Sequence, residues 1–62
     1  MPYSSREIIK LIKDDGWFLV DVEGSHHHFK HAVKPGRVTV PHPKKDLHPK
    51  TAASILKQAR LK

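Results

Sequence analysis

No cysteine occurs in this chain of 62 residues, and that absence constrains its fold more than any residue present. Domains this short bury only about 60% of the surface their unfolded chains expose, and many are stapled by disulfides or a metal. Neither a disulfide framework nor a thiolate zinc site is available here, so an unaided core, or a partner, must hold the fold. Length restricts the chain to a single domain over residues 1–62. The apolar runs Ile8 to Ile12 and Trp17 to Val20 fall far short of the roughly 18 residues of a membrane span, and the N-terminus lacks the pattern of a signal peptide. The expected location is therefore the cytoplasm, with no membrane partner.

Ser4 and Glu7 stand three apart in a capping-box pattern and place the start of a first helix. Ile8, Leu11 and Ile12 recur at helical spacing as its buried stripe, and Gly16 supplies the left-handed residue that ends it. Trp17 to Val22 has strand composition, with a turn at Glu23, Gly24 and Ser25. A second strand runs from His26 to about Ala32. Lys34, Pro35 and Gly36 form the next turn, and Val38 to Val40 a third strand that Pro41 ends. His42 to Lys50 reads as a surface connection whose one large apolar residue is Leu47. Thr51 is placed to cap a last helix, or Pro49 to open it slightly earlier, with Ala52, Ile55, Leu56 and Ala59 as its apolar face. The prediction is an α+β fold in the order α-β-β-β-α: a three-stranded antiparallel sheet with both helices on one face, the arrangement of double-stranded-RNA-binding domains.

The segment Gly24-Ser25-His26-His27-His28-Phe29-Lys30-His31 carries the chemistry. As a strand it alternates, and Phe29, its one large apolar member, must face the helices. His27 and His31 then share that side, while His26, His28 and Lys30 share the open face. Three readings compete. The histidines can be plain polar strand residues. His26 and His28, with His42, can be read as metal ligands, although no nearby carboxylate beyond Asp21 and Glu23 is available to orient them. Or a histidine can act on RNA, where metal-free cleavage needs a base for the 2′-hydroxyl, cations for the phosphorane and a donor for the leaving oxygen. An imidazole of ordinary pKa near about 6.5 suits such a base. Twelve Lys plus Arg against six acidic residues, a formal charge of +6, point to an anionic partner. Lys30, Lys44 and Lys45 are the candidate phosphate contacts, and Gly24 is placed to let backbone approach the substrate closely.

Asp15-Gly16-Trp17, the Gly24 to His31 run, Gly36-Arg37-Val38-Thr39-Val40-Pro41-His42, and Thr51, Ser54, Ile55 and Lys57-Gln58-Ala59 together resemble the HicA (YcfA-like) toxins, mRNA interferases of HicA–HicB toxin–antitoxin systems. The resemblance implies a double-stranded-RNA-binding-like fold and a metal-independent endoribonuclease without cofactor that cleaves mRNA and inhibits translation. It further implies neutralisation by a HicB antitoxin covering the active site, and a higher-order toxin–antitoxin complex. The family's catalytic histidine follows the Gly-Ser pair, which selects His26, with Gly24 and Ser25 at the RNA; some members place it one residue later, which makes His27 the second candidate. Strand parity favours His26, and His28 or His42 is the acid. Lys50 stands where the family usually has glycine before the threonine of the last helix, and Ala59-Arg60-Leu61 replaces the usual Ala-Gly-Leu. The alternative is a non-catalytic RNA-binding module of the same fold, and a metal carrier is a third reading.

Overall fold

The computed structural model describes residues 3–61. Its elements are α1 (Ser5–Asp14), β1 (Trp17–Glu23), β2 (His26–His31), β3 (Val38–Pro41) and α2 (Pro49–Gln58), and the three strands form one antiparallel sheet in the order β1-β2-β3. The predicted α-β-β-β-α order is the observed one. Among the described residues no helix is long and apolar enough to cross a membrane.

The first helix starts where the capping box places it. The Ser4 hydroxyl accepts from the Glu7 N–H at 3.1 Å, and the Glu7 carboxylate accepts from the Ser4 N–H at 3.0 Å, so two free donors of the first turn are satisfied reciprocally. Those bonds, the backbone one first, hold the Glu7 carboxyl below its ordinary pKa. The buried stripe differs from the expected one. Ile8 and Ile12 are fully buried, Leu11 is 40% exposed, and Ser5 takes the remaining inward position at 1% exposure. At about 100° per residue, Ser5 and Ile12 lie on one side of Ile8 and Leu11 on the other, so the contact line passes Leu11 by.

Phe29, Val38, Val40 and Trp17 form the sheet's contribution to the core, and Ile8, Ile12, Ala52, Ile55, Leu56 and Ala59 that of the helices. The expected apolar face of α2 is therefore buried in full. Leu47, read as part of a surface connection, is 1% exposed and belongs to this core; its N–H donates to the Tyr3 carbonyl at 2.7 Å, tying the β3–α2 loop to the chain before α1. Pro49 opens α2, as one of the two sequence readings had it, but the cap is His48 rather than Thr51: the His48 side chain accepts from the Lys50 N–H at 3.1 Å. A proline at the first helical position lacks an N–H to satisfy, which moves the start ahead of the threonine.

Glu23 completes β1 opposite His26, leaving Gly24 and Ser25 as a two-residue hairpin loop. Gly24 sits at φ +59°, which the first central position of a II′-type hairpin requires. The second strand stops at His31 rather than Ala32, because the His31 ring turns the chain: its Nδ1 accepts the Val33 and Lys34 N–H groups at 3.0 and 3.1 Å, and its Nε2 donates to the Asp15 carbonyl at 2.7 Å. Lys34 reaches across the same corner to the Asp15 carboxylate and, at 3.2 Å, to the Ala59 carbonyl at the end of α2. One histidine and one lysine thus pin the C-terminal ends of both helices to the end of β2.

Candidate active site

The alternation along β2 is as the sequence implies. Phe29 is buried, His27 and His31 share its side, and His26, His28 and Lys30 face away from the helices. His26 is exposed at the start of the strand. His28 has both ring nitrogens engaged, Nδ1 with the Thr39 hydroxyl at 2.9 Å and Nε2 with the Glu23 carboxylate at 3.0 Å, so it bridges β1 and β3 across the open face. Lys30 lies on that face opposite Phe18. The sheet therefore separates Lys30, His26 and His28 from the remaining candidates.

A second group assembles on the helix side, where the end of β3 meets the start of α1. The His27 ring, half-buried, meets His42 edge to face, with centroids 4.9 Å apart and planes at 89°. His27 Nδ1 is buried and has no hydrogen-bond partner among the described residues. His42 Nδ1 lies 2.7 Å from the hydroxyl of the buried Ser5. Backbone contacts lock this corner: the His42 N–H donates to the Ser25 carbonyl at 2.7 Å, joining it to the Gly24–Ser25 turn, and the Ser5 N–H donates to the Lys44 carbonyl at 2.9 Å. Beside it opens a cleft of about 360 Å³ lined by Ser4, Ser5, Arg6, His42, Pro43, Lys44 and Lys45. The cleft combines three cationic side chains with the N-terminal end of α1, whose dipole also favours an anion.

Two of the three candidate lysines, Lys44 and Lys45, thus line the cleft with His42, and Lys30 does not. Nothing lies within 4 Å of a Cβ built on Gly24, so that glycine answers a backbone requirement and leaves open space beside the turn. Among the described residues no cluster of three or more histidine, aspartate or glutamate side chains is arranged to hold a metal ion, and His42 stands across the sheet from the His26–His28 pair with which the metal reading grouped it. Ser5 was missed from sequence. A serine in the first turn of a helix carries no signal of its own, and its partner is 37 residues away.

A three-stranded sheet backed by two helices defines a small α+β protein of the double-stranded-RNA-binding-like class, here with a basic, histidine-bearing cleft at one corner. Residues 5–61 match the model of the family described as "HicA toxin of bacterial toxin-antitoxin", and the chain belongs to that family. Four solved chains match it. One belongs to a "Toxin-Antitoxin complex from Streptococcus pneumoniae": it is 27% identical, superposes with a TM-score of 0.77, and is aligned over 95% of this chain and 98% of that one. The sequence matches no curated protein.

Proposed function

We propose that this toxin is an endoribonuclease that cleaves mRNA without a metal ion and so blocks translation. The observation that carries the reading is His42, which lines a cleft with Arg6, Lys44 and Lys45 and meets the His27 imidazole edge to face behind it. Cleavage by internal transesterification needs that equipment. A base removes the 2′-hydroxyl proton, the 2′-oxygen attacks phosphorus, the bond to the 5′-oxygen breaks, and an acid protonates the departing oxygen. Cations beside the phosphate stabilise the charge that develops on its oxygens.

His26 and His27 are the candidate bases, and the geometry supports His27. It is the one with a second imidazole in contact and on the same side of the sheet as His42, whereas His26 is exposed and faces the opposite side. His42 fits the acid better than His28, whose two nitrogens are already bonded. Lys44, Lys45 and Arg6 would hold the phosphate. Purified protein is expected to cut single-stranded RNA in the presence of EDTA. RNA that is bound but left intact would instead support the non-catalytic module.

A HicB antitoxin is proposed as the partner that neutralises the toxin by covering this site. Family membership, the toxin–antitoxin origin of the similar solved chain and the basic cleft support that reading. An acidic partner would associate quickly with such a surface. Co-expression of the cognate antitoxin should restore growth to cells producing the toxin, and continued arrest would contradict the pairing.

A further inference from the structure

The hydrogen-bond count around Ser5 fixes more than the position of His42. Three polar atoms lie within bonding distance of the Ser5 hydroxyl oxygen: the Lys44 N–H at 2.8 Å, the Lys44 carbonyl at 3.1 Å and His42 Nδ1 at 2.7 Å. The amide can only donate and the carbonyl can only accept, while the hydroxyl owns a single proton. If His42 Nδ1 carried no hydrogen, that proton would face two acceptors. With hydrogen on Nδ1 every contact is a bond: the hydroxyl donates to the Lys44 carbonyl and accepts from the Lys44 N–H and from His42 Nδ1–H. Ser5 is 1% exposed and the Lys44 carbonyl also accepts the Ser5 N–H at 2.9 Å, so an Nδ1 without hydrogen would draw the hydroxyl proton to itself and cost that carbonyl its second bond, with no water beside the hydroxyl to make up the difference.

We infer that Ser5 is a positioning residue that holds His42 in the Nδ1–H tautomer and thereby reserves Nε2 for proton exchange with substrate. This deepens the nuclease reading above and rests on it for its role in catalysis. The neutral side chain of free histidine prefers the opposite tautomer, with hydrogen on Nε2. The arrangement is compatible with both charge states, since Nδ1–H is retained whether or not Nε2 is protonated. His42 can therefore deliver and recover the Nε2 proton without rearranging its anchor. The group that orients a catalytic histidine is often a carboxylate or a carbonyl; here it is the Ser5 hydroxyl, whose own proton goes to the Lys44 carbonyl.

The test reads the tautomer directly, by ring-nitrogen NMR of the intact protein under alkaline conditions that keep imidazoles neutral. His42 is expected as Nδ1–H in the wild type and as Nε2–H in Ser5→Ala. An Nε2–H wild type, or a tautomer unchanged by Ser5→Ala, overturns the inference. Ser5→Ala should also lower kcat for RNA cleavage roughly tenfold or more, the scale of a misplaced acid–base group, with KM unchanged. His42→Asn supplies the second variant: its side-chain amide can still donate to Ser5, so the fold persists, but nothing replaces Nε2. Cleavage by His42→Asn at the wild-type rate contradicts the role given to Nε2. If Ser5→Ala does not fold, the wild-type tautomer and His42→Asn still decide the matter. Because the tautomer is read without RNA, a wild type that leaves RNA intact refutes the nuclease reading alone.

Discussion

Gly16→Ala should be the most damaging single-methyl change in the molecule, and the structure gives two separable reasons. Gly16 sits at φ +104°, where an L side chain is strained by about 1–2 kcal/mol. In addition, a Cβ there would stand 2.7 Å from His31 Nε2, closer than real Cβ contacts allow. The ring cannot yield cheaply, because it is held by the Asp15 carbonyl at 2.7 Å and by the Val33 and Lys34 N–H groups at 3.0 and 3.1 Å. Loosening one or two of these bonds adds about 1–2 kcal/mol, for a total of roughly 2–4 kcal/mol. That is a large part of the roughly 3–9 kcal/mol expected for a domain of this size, and it corresponds to a fall in Tm of roughly 10–30 °C. Gly36→Ala is the internal control: φ is +91°, but nothing lies within 4 Å of the added carbon, so only the backbone cost of about 1–2 kcal/mol applies. Thermal unfolding followed by circular dichroism measures both. In the double variant with His31→Ala the steric part should vanish, giving a coupling of about 1–2 kcal/mol. If Gly16→Ala costs no more than Gly36→Ala, the reasoning about the His31 corner is wrong.

Arg60 occupies a left-handed position, φ 57°, after the end of α2, so Arg60→Gly should raise stability by about 0.5–1 kcal/mol and Tm by a few degrees; a destabilised variant would contradict this. Asp15 is held below its ordinary pKa, first by the hydrogen bond from the Lys34 ammonium. A carboxyl lowered in the folded state contributes stability that is fully present above its unfolded pKa, near about 4, and is lost as pH falls through the folded value. Asp15→Asn should therefore flatten the acid side of the curve of Tm against pH; a slope identical to wild type would show that the ion pair contributes nothing.

The parts of the fold that were legible are those governed by near neighbours. Ser4 and Glu7 announce the helix start because a capping box is local chemistry, and Gly16 and Gly36 mark turns because their backbone angles require it. Phe29 sets the faces of β2 because alternation admits one solution once its direction is known. The misreadings are tertiary. Leu47 looks like loop until the Tyr3 carbonyl and the core claim it, and Leu11 looks like core until the line of contact passes to Ser5. The candidate site divides in the same way. The histidine run is visible in the sequence, but the sheet decides that His27 meets His42 while His26 and His28 face elsewhere, and Ser5 joins them only through a contact between α1 and the end of β3.

The central claim, that His27 and His42 form the acid–base pair of a metal-free ribonuclease, is tested most directly by the rate of RNA cleavage in EDTA for wild type, His26→Ala and His27→Ala, with folding checked for each. Loss of a general base should slow His27→Ala by about 10²–10⁴-fold, while His26→Ala stays within a few-fold of wild type. Full activity in His27→Ala with activity lost in His26→Ala would contradict the account and move the base to the open face of the sheet.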